Sequence, residues 1–196
     1  VLNLLRTAAT MVGAAVSGTI HRASGRGGTA AVQLQPGDLA PDFSLQGSDG
    51  HWYRLRDLRS RVVVVLAWFP KAFTPGCAKE CKSLGSNRAA LKQFSARYFG
   101  ASLDAPDTSR RFAESLGIDY PILSDPDGSV ARAYGVVGPW GLPSRWTFYI
   151  GMDGRIIDID KQVQVTTHGH DVAVRLNELG VPRQASGLRA EATGES

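Results

Sequence analysis

The chain has 196 residues, 43% hydrophobic and 20% charged, with 22 Lys and Arg against 18 Asp and Glu for a net charge of +4. These proportions exclude a disordered, fibrous or collagen-like chain and fit one globular domain, large enough to bury a core without disulfide or metal staples. The positive charge forms no basic stripe interleaved with aromatics, so nucleic acid is not an expected partner.

Residues 1–37 contain no Asp or Glu, whereas Arg6, Arg22 and Arg26 all fall there. A small, apolar run follows Arg6, and Ala15-Val16-Ser17 has the form of a leader cleavage site, but the run is too short to span a membrane. Residues 1–35 are therefore expected to be a flexible leader or targeting segment. The protein is expected to be soluble and cytoplasmic, or exported if that segment is a cleaved leader. Residues 36–181 form the expected domain, and 182–196, which lack an apolar period, a disordered tail.

Within the domain, apolar runs at 43–46 and 52–55 flank Gly47-Ser48-Asp49-Gly50, the pattern of a hairpin. The run VVVVLAWF at 62–69 is that of a strand covered on both faces and predicts the central strand of a parallel sheet. Pro70 ends it. A helix is expected from near Cys77, with Cys81, Leu84, Leu91 and Phe94 on one side and a break at Gly85-Ser86-Asn87. Residues 98–103 read as the next strand, followed by a helix capped by Asp107 or Thr108 and ended by Gly117. A short strand at 121–123 and a small helix at 129–134 read as an insertion. Strands at 145–150 and 156–160 flank the turn Asp153-Gly154, and a helix at 171–179 buries Val172, Leu176 and Leu179. A βαβα half followed by ββα, with an N-terminal β-hairpin and an insertion before the final ββα unit, is the order of an α/β thioredoxin-like fold.

The two cysteines, Cys77 and Cys81, are too few for a secreted disulfide framework or a four-cysteine zinc site. Cys77 falls in the first turn of a helix at the carboxyl end of a buried strand, where free N–H groups and the helix dipole favour an anion, and only the thiolate is nucleophilic. Thr74, three residues earlier, can turn its hydroxyl toward the sulfur as donor and acceptor. Pro70 has no N–H and would wall the pocket against water. A lone buried cysteine is usually inert and a lone threonine usually a cap, so it is the spacing 70, 74, 77 after a hydrophobic strand that carries the reading.

That stretch resembles the peroxiredoxin motif P-x-x-x-T-x-x-C. The resemblance extends to PGDLAPDFSL at 36–45, PILSDPDGSVARAYGV at 121–136 and SRWTFYI at 144–150, and so covers about residues 36–179. It implies a thiol-dependent peroxidase that reduces hydrogen peroxide and organic hydroperoxides through a cysteine sulfenic acid, without cofactor or metal. It also implies that Arg145 is the active-site arginine, whereas Arg97, Arg132 and Arg175 read as surface charges. The pair of cysteines on one helix is most similar to the bacterioferritin comigratory (Q-type) class, in which the second cysteine resolves the sulfenic acid. That class usually spaces the two by five residues and here the interval is four, which leaves Cys81 as the resolving cysteine or as a buried small residue. The expected partners are the peroxide and thioredoxin or a similar dithiol, with the protein a monomer or weak homodimer.

A second reading is a Sco-like copper-binding protein of the same fold, which also carries C-x3-C and completes its metal site with a histidine. The chain has His168 and His170 as candidates for that role. The position before WTFYI is Arg145, which cannot ligate a metal, and His168-Gly169-His170 reads as solvated polar filler at a helix entry. A thioredoxin-type reductase is disfavoured because the spacing is not C-x-x-C and Trp146 rather than proline precedes Thr147.

Overall fold

The computed structural model describes residues 32–184 of the chain. In chain order the elements are β1 (Ser44–Gly47), β2 (Trp52–Arg54), α1 (Leu55–Leu58), β3 (Val63–Trp68), α2 (Pro75–Ser86), α3 (Arg88–Leu91), β4 (Ala96–Ser102), α4 (Pro106–Leu116), β5 (Ile122–Ser124), α5 (Ser129–Ala133), β6 (Thr147–Ile150), β7 (Ile156–Asp160) and α6 (His168–Glu178). Almost all of the expected leader, residues 1–35, lies outside the described residues, as does most of the expected tail.

Every residue of β3 is buried, and its side chains alternate between two cores. Val63, Val65 and Ala67 enter a core shared with α2, α3, α4 and α6, while Val64, Leu66 and Trp68 enter one shared with α1 and α5. This two-sided cover is why the β-branched run shows no polar alternation. The seven strands lie in the order β2-β1-β5-β4-β3-β6-β7. Strand β3 is parallel to β4 and antiparallel to β6, and β4 is parallel to β5. The middle position therefore belongs to β4, with β3 beside it.

Several expectations are corrected. Strand β5 is inserted in chain order but is integral to the sheet, pairing with β4 on one edge and with β1 of the hairpin on the other. Helix α4 begins at Pro106, with Ala105 as a cap that offers no side-chain bond. Proline at the first helical position has the required φ and lacks only an N–H that would be unpaired anyway, so neither Asp107 nor Thr108 is needed as a cap. Asp107 instead pairs with Arg110 and Arg111. Helix α6 starts at His168, three residues earlier than predicted, and buries Val172 and Leu176. The first residues of the expected tail are pinned: Ser95 donates to the Pro182 carbonyl at 2.7 Å, and Gln184 donates to that of Gln93 at 2.7 Å. The break after Ser86 and the αL residue Gly117 after α4 are as expected.

Candidate active site

The site forms where β3 gives way to α2. Pro70 follows the strand after Phe69 and is half-buried. The next turn is held from the side, because the amide of Ala72 donates to Asp104 Oδ2 at 2.7 Å and that same oxygen accepts from Ser102 Oγ at 2.9 Å. Phe73 takes a φ of 61°, a left-handed conformation uncommon for an aromatic residue, and its ring packs on Phe112 with centroids 5.1 Å apart. This kink feeds the chain into α2. Thr74 is the N-cap and Pro75 the first helical residue, so the amides of Gly76 and Cys77 have no acceptor within the helix. Cys77 is thus held among free donors at the positive end of a 12-residue helix, buried to 1% exposure and unbonded to Cys81.

Arg145 arrives from the segment before β6. Its Nη2 lies 3.4 Å from Cys77 Sγ, and its Nη1 donates to Glu80 Oε2. Glu80 is on α2, one turn beyond Cys77, and is 1% exposed. The guanidinium therefore bridges two side chains of one helix, with the carboxylate fixing one arm of its fork and the other directed at the sulfur. Gly76 lies directly under the guanidinium: a Cβ at that position would stand 3.5 Å from Arg145 Nη2, in ordinary contact.

Beyond Glu80 the polar chain continues inward. His168 is 1% exposed; Nε2 lies 2.8 Å from Thr147 Oγ1, and Nδ1 lies 3.3 Å from Glu80 Oε1. His168 is therefore part of the interior, which corrects the expectation of solvated filler; His170 is exposed. Burial lowers the His168 pKa to about 4, with the Arg145 charge acting in the same direction and Asp160 and Asp171 opposing it, so at neutral pH the ring is uncharged.

Cys81 lies in the core beneath. Burial pushes its thiol up to about 12, and the neighbouring Cys77 acts in the same direction. The hydroxyl of Tyr120 donates to the Cys81 carbonyl at 3.0 Å. One feature differs from expectation. Thr74 Oγ1 donates to the Lys71 carbonyl at 3.0 Å rather than to the sulfur, which leaves its lone pairs as acceptors. Gly85 is a packing residue, since a Cβ there would stand 3.0 Å from Ile118 Cγ2.

The structure brings Cys77 and Arg145 together from 68 positions apart in the chain, with Pro70 and Thr74 in the connecting turn and Cys81 one turn deeper. Sequence reasoning missed Glu80, His168 and Asp104. Glu80 had a visible signal: it falls on the same helical face as Cys77, Cys81 and Leu84, all of them buried, where an acid requires a partner. A cleft of about 420 Å³ between β7 and α6, lined in part by Asp158, Asp160 and Asp171, contains neither cysteine. Of the arginines read as surface charges, Arg175 bonds Asp158 at 2.6 Å and Arg97 lies over the Tyr53 ring.

A thioredoxin-fold domain with a cysteine at a helix N-terminus, faced by an arginine from the segment that enters the neighbouring strand β6, defines the class of a thiol redox protein. Comparison with known proteins narrows it. Residues 36–159 match the model of the AhpC/TSA family, and the chain belongs to that family. It is 35% identical over 151 residues to peroxiredoxin Bcp of Escherichia coli K12, covering 72% of this chain and 94% of the relative. It is 34% identical over 147 residues to a putative peroxiredoxin of Mycobacterium tuberculosis H37Rv, covering 71% and 93%. Among solved structures, the peroxidoxin BcpB of M. tuberculosis superposes with a TM-score of 0.68 at 33% identity, covering 74% of this chain and 98% of that one. The PrxQ of Xylella fastidiosa gives 0.70 at 25% identity, covering 76% and 99%. The protein is a thiol-dependent peroxidase of the Bcp/PrxQ type. The copper reading finds no support: the imidazole it would need is tied to Thr147 and faces Glu80. Among the described residues, no helix is long and apolar enough to cross a membrane.

Proposed function

We propose that Cys77 is the peroxidatic cysteine and that Arg145, the free amides of Gly76 and Cys77, and Thr74 form the site that receives the peroxide. The observation that carries this reading is the placement of Arg145 Nη2 3.4 Å from Cys77 Sγ at the free N-terminus of α2. In the reaction, the Cys77 thiolate attacks one peroxide oxygen and the O–O bond breaks. The second oxygen leaves with the electron pair and takes up a proton to become water or an alcohol. Cys77 becomes a sulfenic acid. Charge builds on the leaving oxygen as the bond breaks, and a fixed cation with preorganised N–H donors stabilises it without reorganising. Thr74, with its hydrogen committed to Lys71, is placed to accept from a peroxide hydroxyl. Pro70 limits water at the strand end.

Cys81 then attacks the sulfenic sulfur. Water leaves and a Cys77–Cys81 disulfide forms, which an external dithiol such as thioredoxin reduces by exchange. Both hydrogen peroxide and organic hydroperoxides are substrates in this reading, and the enzyme works as a monomer or weak homodimer. In a thioredoxin-coupled assay, Cys77→Ser is expected to abolish peroxide consumption. Retained turnover in that variant would overturn the assignment.

A further inference from the structure

We infer that His168 is a positioning residue for the peroxidase site: through Glu80 it holds the Arg145 guanidinium in register with Cys77. The inference rests on the assignment of Cys77 as the attacking sulfur. It begins from two buried atoms, Glu80 Oε1 and His168 Nδ1, that make no hydrogen bond among the described residues and lie 3.3 Å from each other. Leaving either alone in a dry core is costly, so the pair is held in place by mutual need.

The chemistry of the two groups fixes the proton. A carboxylate only accepts, so Nδ1 must carry the hydrogen that faces it. With the ring uncharged, Nε2 is then bare and accepts from the Thr147 hydroxyl at 2.8 Å. One proton order then fits the chain: Thr147 donates to His168, the Nδ1 hydrogen of His168 faces Glu80, and Arg145 donates to Glu80 from the other side. Glu80 thereby faces a donor at each oxygen: Oε2 accepts from Arg145, and Oε1 lies 3.3 Å from His168 Nδ1. A carboxylate bonded at one oxygen can rotate about its terminal torsion, which is broad; with an N–H facing the second oxygen, it presents a fixed acceptor edge to the guanidinium.

The imidazole is itself locked by the packing of α6 on α2. Gly169 donates its amide to Ser83 Oγ at 3.0 Å, and that hydroxyl donates to the Thr166 carbonyl at 3.2 Å. A Cβ at Gly169 would collide with the Ser83 backbone carbonyl. Glycine here lets the start of α6 approach α2 closely enough for residue 168 to reach Glu80.

The test measures the second-order rate of Cys77 oxidation by hydrogen peroxide in stopped flow, in a double-mutant cycle of His168→Leu and Arg145→Lys. In the otherwise native protein, His168→Leu is expected to slow oxidation at least fivefold. In the Arg145→Lys background, where there is no planar fork to align, it is expected to cost less than twofold. A residue that only fills space would slow both backgrounds by the same factor, and that result overturns the proposal. His168→Gln, which keeps an N–H donor, is expected to recover most of the rate, and it serves if the leucine variant does not fold. Nitrogen NMR of the unmodified protein supplies a check independent of turnover: hydrogen on Nδ1 is expected, and hydrogen on Nε2 overturns the proposal. Failure of the underlying assignment looks different, since Cys77 would then remain a thiol after peroxide treatment whatever stands at position 168.

Discussion

Arg145 meets Cys77 across the boundary between the two halves of the fold, its Nη2 3.4 Å from the sulfur that begins α2. The two are 68 positions apart in the chain and share no element; what joins them is the antiparallel pairing of β6 with β3, which lays Thr147 against Ala67. The segment that leads into β6 and the helix that follows β3 therefore emerge at the same end of the sheet. Arg145→Lys keeps a charge but loses the two-armed grip on Glu80 and sulfur. Oxidation of Cys77 by peroxide is expected to slow at least tenfold, about 1.4 kcal/mol in the barrier. An unchanged rate in a folded variant would return Arg145 to a structural role.

Glu80 gives a different signature, because its loss strands a cation. Arg145 is only 22% exposed, and breaking a buried ion pair from one side costs about 3–5 kcal/mol. Glu80→Ala is expected to lower unfolding stability by an amount near the low end of that range, since the guanidinium retains some contact with water. Chemical denaturation of the two proteins measures it. Peroxide reactivity is expected to fall with it, since the free arm of Arg145 then has no anchor.

Much of this was legible in the sequence. The buried β3, the break at Gly85-Ser86-Asn87, the motif residues Pro70, Thr74 and Cys77, and Arg145 before its strand all stand out by composition, spacing or resemblance. The glutamate and histidine behind the arginine did not. Glu80 looks like any helix acid until its face is known to be buried, and His168 gains its partner only through the contact of α6 with α2, which no local pattern encodes. Strand β5 read as a detachable insertion because a run of three residues carries no hint of the neighbours on its two edges.

The histidine makes acid stability a measurable consequence. Its neighbours are Glu80 on α2, Arg145 and Thr147 around the start of β6, Asp160 on β7 and Asp171 on its own helix. Burial lowers its pKa from 6.5 to about 4, so between those values the unfolded chain binds a proton that the folded one refuses. Stability contributed by the neutral ring is complete above pH 6.5 and is lost as pH falls toward 4, by roughly 3 kcal/mol in all. His168→Gln is expected to flatten that part of the stability profile. A wild-type profile already flat from pH 7 to 4 would contradict the burial of the ring.

If Cys81 resolves the sulfenic acid, its position in the fold sets how the second half of the cycle proceeds. With its thiol pushed up to about 12 and its side chain 1% exposed, it is neutral and shielded in the reduced protein. Residues i and i+4 of a helix stand about 6 Å apart along the axis, and a disulfide also requires Cβ atoms within about 4.5 Å and a fixed dihedral. The first turn of α2 must therefore unwind before the two sulfurs join, which releases Glu80 from both Arg145 and His168. The unwinding has a built stop. The Ser83 hydroxyl and carbonyl are engaged by Gly169 and Asn87, the latter at 2.9 Å, and Gly85 is packed on Ile118. Amide exchange in the oxidised protein is accordingly expected to quicken from about residue 76 to residue 82 and to stay slow from Ser83 onward. Protection lost throughout α2, or unchanged along all of it, would exclude this boundary. Gly169→Ala probes the stop directly, because its methyl group would drive α6 off the Ser83 carbonyl. A stability loss of about 1–3 kcal/mol is expected, with faster exchange reaching past Ser83 in the oxidised state. Recycling by a dithiol is expected to fail in Cys81→Ser while a single round of Cys77 oxidation proceeds, since the resolving thiol acts only after the peroxide has left.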